Sequence, residues 1–339
     1  MKRSIVSLAL CFLATRLALL AGAEESIKNW AAELDKQSFG YEEVEETFLE
    51  YDGEYSEVGE IISVPLANAG ESGELALSLG EQVKPAPLTA KFHSNLSIRN
   101  DTSLEIDPDS LLEAGPDIVL SGEGPQVLII HTHGSEAYTP TAEDMYTESD
   151  PYRTEDREKN VVRVGDVLAE SLESKGIRVL HDREIYDYPS YTGSYSRSGA
   201  AVEKYLAEYP GISVVIDLHR DALGSGDVVY KTRAETESGE CAQVMLLVGT
   251  GENGLYHPLW EQNLSLALYL QQAVEEAHPS LMRPLALKSE RYNQHLSPGA
   301  IIVEVGSTGN TMAEAIAAIE LFGGAVGDAL AALEKGNKN

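Results

Sequence analysis

The stretch VLIIHTHGSE (127–136) joins four consecutive apolar residues directly to a polar cluster. A short, continuous apolar run is typical of a strand that is covered on both faces, as in a parallel sheet. The same succession recurs in ISVVIDLHRD (212–221) and in AIIVEVGS (300–307). These segments predict three buried strands, each followed at once by side chains that can bind ligands or transfer protons.

Segments with helical spacing alternate with these strands along the chain. Further strands are predicted over 177–180 and 243–248, and helices over 160–175, 200–209, 263–277 and 311–334. Strands that alternate with helices form βαβ units, which pack helices on both faces of a mostly parallel sheet. The sequence therefore predicts an α/β fold with a doubly wound, mostly parallel sheet.

The N-terminal third has a different texture. Residues 1–23 begin with Lys2 and Arg3, continue with an apolar run and end in a small-residue pattern, which predicts a signal peptide or membrane anchor and hence export. Residues 24–103 contain an excess of acidic residues and predict a partly disordered spacer. We place the folded domain at 104–335.

Composition excludes several classes of function. The 339 residues carry a formal net charge of −30, which would repel a polyanion, so nucleic acid is not an expected partner. The chain has two cysteines, Cys11 in the predicted leader and Cys241 in the body. A disulfide framework and a cysteine-rich zinc cluster are both excluded.

The polar clusters predict a zinc site. Carboxyl ends of neighbouring parallel strands meet at one edge of a sheet, where ligands bind. His133-x-x-Glu136 with a distant His219 is the spacing found in zinc carboxypeptidases, and it leaves the fourth position for water. Glu304 follows four apolar residues and is the candidate base that takes the proton of that water.

Several alternatives remain open at this level. His131 competes with His133 as a ligand and otherwise either supports a ligand or contacts the substrate. Glu158, just before a predicted helix, competes with Glu136. The same cluster is also compatible with a hydrogen-bonded structural network, for example with His219 bonded to Asp217.

Other polar residues are candidates for substrate contact. Arg220 beside His219 is a candidate for stabilising the oxyanion of a tetrahedral intermediate. Arg197, in the polar aromatic loop 191–198, is a candidate for holding a peptide carboxylate, and Asn293 for binding peptide amides.

Five separated blocks carry a resemblance to a known family. The chain resembles the stage II sporulation protein P family over roughly residues 104–335. The blocks, in order, are HTHGSEAYTP (131–140), RTEDREKNVVRVGDVL (153–168), VLHDREIYDYPSYTGSYSRS (179–198), VVIDLHRDA (214–222) and RYNQHLSPGAIIVEVGSTGNT (291–311).

The resemblance implies a zinc-dependent hydrolase similar to N-acetylmuramoyl-L-alanine amidases and acting on peptidoglycan during sporulation engulfment. It implies cleavage of the stem peptide from the glycan, and also of peptide cross-links. The implied partners are stage II sporulation proteins D and M. The zinc and catalytic roles fall on His133 or His131, Glu136, His219 and Glu304, while the related amidases point to Glu158 as the carboxylate ligand.

The alternative functions are a zinc carboxypeptidase or endopeptidase acting on wall peptides and a non-catalytic wall-binding scaffold.

Overall fold

A computed structural model describes residues 64–65, 96–120, 123–225, 228–236 and 239–336. The predicted leader 1–23 and nearly all of the predicted spacer 24–103 lie outside the described residues.

The described residues contain twelve strands and five helices. The strands are β1 Val64–Pro65, β2 Ile98–Asn100, β3 Val127–Ile130, β4 Val179–His181, β5 Val214–Asp221, β6 Gly224–Ser225, β7 Val228–Val229, β8 Ala234–Thr236, β9 Gly239–Cys241, β10 Val244–Gly249, β11 Leu285–Lys288 and β12 Ala300–Ser307. The helices are α1 Pro108–Ala114, α2 Val161–Ser174, α3 Ser194–Glu208, α4 Trp260–Ala277 and α5 Met312–Gly336. A 3₁₀ turn covers Gln294–Leu296.

A seven-stranded sheet organises the domain, in the order β2-β11-β10-β12-β5-β3-β4. All neighbouring strands in it are parallel except β10 and β12. The predicted α/β fold with a mostly parallel sheet is thereby confirmed. Because the direction changes at β10, the carboxyl ends of β12, β5 and β3 share one edge, and the end of β10 lies at the other.

The two faces of the sheet pack against different helices. Alternate residues of β3, β5 and β12, such as Ile129, Leu218 and Val303, form the large core with α2, α4 and α5. The intervening residues, such as Ile130 and Val215, form a smaller core with α3. This alternation decides on which face each residue at a strand end lies.

Some boundaries differ from the sequence-based prediction. The helix predicted over 200–209 begins earlier, at Ser194, because the polar turn 194–199 is helical and its Ser194 and Ser198 are buried. The short strands β2 and β11 are additional, and β2 lies before residue 104, the predicted start of the domain.

Helix α5 is long and apolar, with few charged residues along most of its length. Its segment Met312–Leu333 is long and apolar enough to cross a membrane, with a mean hydropathy of 1.7. Half of that stretch is buried within the fold, and residues such as Ile319 and Phe322 are fully enclosed in the core. The helix therefore serves as a core helix of this domain.

Candidate active site at the ends of three strands

Three neighbouring strands end at the same edge of the sheet. β12, β5 and β3 are adjacent, and both neighbouring pairs are parallel. Their carboxyl ends bring together residues that lie far apart in the sequence. We call this group the strand-end cluster; it consists of His133, Glu136, Asp217, His219 and Glu304.

Two histidines and one carboxylate of the strand-end cluster lie close together, with His219 next to both of the others. His133, Glu136 and His219 are 6%, 5% and 3% exposed. His219 Nδ1 lies 3.4 Å from Glu136 Oε2, and the His133 and His219 rings meet edge to face with centroids 5.2 Å apart. The fold thus brings together the His-x-x-Glu pair and the distant histidine that the sequence singled out.

His219 lies between two carboxylates. Its Nε2 is 2.9 Å from Asp217 Oδ1, and its Nδ1 faces Glu136. Burial opposes a charge on the ring, but Asp217 and Glu136 outweigh it and hold the pKa of His219 well above its ordinary value. Asp217 is itself fixed by Thr132, whose backbone amide and Oγ1 both donate to the carboxylate, at 2.8 and 2.6 Å.

Glu136 is surrounded by cationic groups. The backbone N–H of Arg220 donates to its Oε2 over 3.1 Å, and Arg153 Nη2 lies 3.5 Å from its Oε1. Burial alone would raise the pKa of Glu136, but Arg220, His219 and Arg153 together hold it well below its ordinary value. The Arg220 guanidinium donates to the backbone carbonyls of Ala137 and Tyr152, so it fixes the chain around Glu136.

Glu304 occupies the third strand end. It lies directly opposite His219 in the β12–β5 ladder. Its Oε2 is enclosed and has no hydrogen-bond partner among the described residues. Burial raises the pKa of Glu304 to about 8, although the neighbouring His219 opposes this. A carboxyl with an enclosed oxygen that lacks a hydrogen-bond partner is suited to accept a proton from a bound reactant.

The donor types of the strand-end cluster fit zinc, because two imidazoles and a carboxylate are the ligands of catalytic zinc sites. The unpartnered Oε2 of Glu304 beside them is consistent with a reacting group at such a site. The nitrogens of His219 here face Asp217 and Glu136. Within the described residues no group of three or more His, Cys, Asp or Glu side chains is arranged to hold a metal ion. The donors fit by chemistry, and in the described structure they are joined by ion pairs and ring contacts.

His131 lies on the other face of the sheet from His219 and Glu304. It is fully buried against α2, where an added Cβ on Gly165 would come within 2.7 Å of its ring. Its Nδ1 bonds to Leu218 O, and its Nε2 to His181 Nε2.

Glu158 lies away from the strand-end cluster. Its side chain is 64% exposed, and its Oε1 bonds to Arg183 over 3.1 Å. Of the two carboxylates proposed as ligands from the sequence, only Glu136 contacts His219.

The predicted substrate-binding residues Arg197 and Asn293 are both engaged with neighbouring backbone. The Arg197 guanidinium donates to the carbonyls of Tyr186, Ser190 and Thr192 and so shapes its own loop. Asn293, in a left-handed conformation with φ of 58°, donates to Tyr195 O and docks its loop on α3.

An additional group, which the sequence analysis did not single out, supports the site. Arg153 pairs with Asp187, and its guanidinium lies 4.9 Å from the centre of the Tyr191 ring. Tyr191 in turn stacks on His133 with centroids 4.5 Å apart. Asp187 also accepts hydrogen bonds from Ser135 N and Oγ. Both Arg153 and Asp187 lie within the blocks that resemble the family, and this was the only feature of the sequence that could have indicated their role.

Comparison with known proteins identifies the family. The profile described as Stage II sporulation protein P matches residues 42–327, most of the chain. The chain belongs to the stage II sporulation protein P family. A curated member, Stage II sporulation protein P of Bacillus subtilis (strain 168), is 29% identical over 205 residues, which are 57% of this chain. The match covers 48% of that relative, so the chain spans about half of its length.

Two solved structures resemble this chain distantly. The CwlD amidase from Clostridioides difficile, solved in complex with the GerS lipoprotein, matches 62% of this chain and 98% of its own at 11% identity and a TM-score of 0.38. The N-acetylmuramoyl-L-alanine amidase AmiC2 of Nostoc punctiforme matches 64% of this chain and 99% of its own at 13% identity and a TM-score of 0.34.

Proposed function

We propose that this chain is a zinc-dependent hydrolase of peptidoglycan that cleaves the amide between N-acetylmuramic acid and the L-alanine of the stem peptide. The observation that carries the proposal is that His219 lies next to both His133 and Glu136. Glu304 lies opposite His219 on the neighbouring strand. Membership of the stage II sporulation protein P family supports a role in sporulation.

In this proposal His133, Glu136 and His219 hold the metal. Zinc, when bound, supplies a Lewis acid that polarises the scissile carbonyl and lowers the pKa of a water molecule. Thr132 and Asp217 orient His219, and the backbone amide of Arg220 orients Glu136, so the ligand side chains enter the reaction already fixed. We assign His131 to the support of the site, because both of its ring nitrogens are engaged elsewhere.

Glu304 is the proposed proton carrier. Its ionised carboxylate accepts the proton of the attacking water and then returns it to the leaving amine nitrogen. Burial raises its pKa to about 8, which makes it a stronger base than an ordinary glutamate. We propose that Arg220 helps by positioning Glu136 and the chain at Ala137, rather than through a free guanidinium.

The substrate is proposed to approach along Tyr191 and the loop that Arg197 shapes, near the loop that Asn293 docks on α3. An exported or membrane-anchored location follows from the predicted leader. Stage II sporulation proteins D and M are proposed partners because of the family. Cleavage of peptide cross-links is a further proposed activity.

Product analysis tests the proposal. The full chain, with zinc or with a chelator, is incubated with purified peptidoglycan, and the released fragments are identified by mass spectrometry. Free stem peptides that begin with L-alanine, formed only with zinc, support the amidase. Cross-link fragments alone would identify an endopeptidase, loss of terminal residues a carboxypeptidase, and binding without release a scaffold.

A further inference from the structure

A second histidine pair lies behind the strand-end cluster, on the α2 side of the sheet. His131 is fully buried, and its Nε2 is 2.8 Å from His181 Nε2. His181 Nδ1 is 3.1 Å from Asp166 Oδ1, and Arg183 pairs with the other oxygen of Asp166 over 3.2 Å. The proposed reaction uses none of these side chains directly.

The partners determine where the protons of this pair lie. Leu218 O can only accept, so His131 Nδ1 carries a hydrogen and donates over 2.9 Å. A charged ring would be costly at a fully buried position without a carboxylate contact, so His131 Nε2 accepts and His181 Nε2 donates. The contact between His181 Nδ1 and Asp166 then holds one proton on one of the two partners.

His131 joins the two strand ends that carry the proposed ligands. The paired residues of β3 and β5 end at Ile130 and Asp217, and the bond from His131 to Leu218 O follows directly beyond them. Leu218 precedes His219, and His131 lies two residues before His133. The His131 ring therefore ties the chain just before His133 to the residue just before His219, alongside the Thr132–Asp217 hydrogen bonds.

We propose that His181, held by Asp166, is a positioning residue that locks His131 as its Nδ1–H tautomer and thereby fixes His133 and His219 relative to each other. The inference rests on the proposed function only in treating these two histidines as zinc ligands. The tautomer and its consequence for His219 are measured without metal or substrate.

Nitrogen NMR of the full chain, labelled with ¹⁵N-histidine and freed of metal, tests the lock. His131 should show a protonated Nδ1 and an unprotonated Nε2. A protonated Nε2 on His131 would overturn the proposal. This measurement is made on the wild-type chain and needs no variant.

Two variants then separate positioning from packing. His181→Gln keeps an N–H donor for His131, whereas His181→Phe removes it. We expect the Phe variant to change the ring-nitrogen signals of His219 and to weaken zinc binding roughly tenfold. The Gln variant should retain both properties, as should the control His278→Gln at the end of α4.

Equal effects of Phe and Gln, or no effect of Phe on the His219 signals, would overturn the proposal. If the Phe variant does not fold, as judged by circular dichroism, the proposal is decided by the His131 tautomer of the wild type and by the His219 ring-nitrogen signals of the Gln variant. A wild-type chain that takes up no zinc would contradict the proposed function, while the tautomer measurement would still decide on the lock.

Discussion

Glu304 and His219 lie directly opposite each other on the parallel strands β12 and β5. The regular ladder breaks immediately after this pair, between Glu304 and Ser307, where Gly306 adopts a φ of +66°. Bulges of this kind re-aim side chains and occur often beside active sites. The pair links an enclosed carboxyl to an imidazole that lies between two further carboxylates, and this relationship underlies the proposed chemistry.

Replacing Glu304 by Gln should abolish release of soluble wall fragments while zinc binding is retained. The amide has nearly the shape of the carboxyl but cannot accept and return a proton, so the loss should reach about 10²-fold or more. Fragment release and zinc content are measured on the same preparations.

The matched control is Glu320→Gln, at an exposed position of α5, which should behave as the wild type. Wild-type hydrolysis by the Glu304→Gln variant would exclude Glu304 as the base.

Metal-free stability should report the raised pKa of Glu304 through its pH dependence. The unfolded carboxyl ionises near its ordinary pKa of 4.5, whereas burial raises the pKa in the folded chain to about 8. The folded chain keeps a proton between these values that the unfolded chain has lost, so the wild type loses stability as the pH rises. Glu304→Gln has no such carboxyl and should therefore be increasingly more stable than the wild type up to about pH 8.

Urea unfolding at several pH values, with a chelator present, measures this difference between the two proteins. A difference that stays constant from below pH 4.5 to above pH 8 would show that the pKa is not raised.

Gly165 should not tolerate a methyl group, although it lies inside helix α2. Alanine normally stabilises a helix interior by up to about 1 kcal/mol relative to glycine. A Cβ at Gly165 would stand 2.7 Å from the rings of His131 and His181, so Gly165→Ala should destabilise by about 1–3 kcal/mol.

Gly324→Ala in helix α5 is the control, because nothing lies within 4 Å of its added Cβ. The midpoint of thermal unfolding should fall for Gly165→Ala and rise for Gly324→Ala. A stabilised Gly165→Ala would contradict the close contact.

Arg220 should matter for stability as well as for activity. Its guanidinium is buried, donates to the carbonyls of Ala137 and Tyr152, and lies 3.9 Å from Glu136 Oε1. Removing one partner of a buried charged pair costs about 3–5 kcal/mol, so Arg220→Ala should destabilise by that amount.

Arg157→Ala is the control, because it removes an ion pair with Glu184 that is largely exposed. Loss of this pair should lower the free energy of unfolding by less than about 1 kcal/mol. Denaturant unfolding compares the two variants. Similar small losses would mean that the Arg220 contacts contribute little.

The strand cores were predictable because they are continuous apolar runs. Residues 127–130 and 300–303 are such runs, and both lie in central strands of the sheet. The short strands Ile98–Asn100 and Leu285–Lys288 have no apolar run of four residues. They are held in the sheet by pairing with each other and with β10. Their positions follow from tertiary contacts that local sequence does not encode.

The His-x-x-Glu spacing favours His133 as the ligand, but the position of the His131 ring was not predictable from spacing. It depends on the two-residue alternation of β3, which directs His131 towards Gly165 of α2, while His133 lies beyond the strand beside Tyr191. The supporting pair of Arg153 and Asp187 likewise joins residues from two loops, and no periodic pattern marks either residue.

Metal content of the full chain tests the central claim most directly. The wild type and His219→Ala are loaded with zinc, dialysed and measured beside the control His278→Ala, with folding checked by circular dichroism. The account predicts about one zinc per chain in the wild type and the control, and none in folded His219→Ala. No zinc in the wild type, or equal zinc in all three proteins, would contradict it.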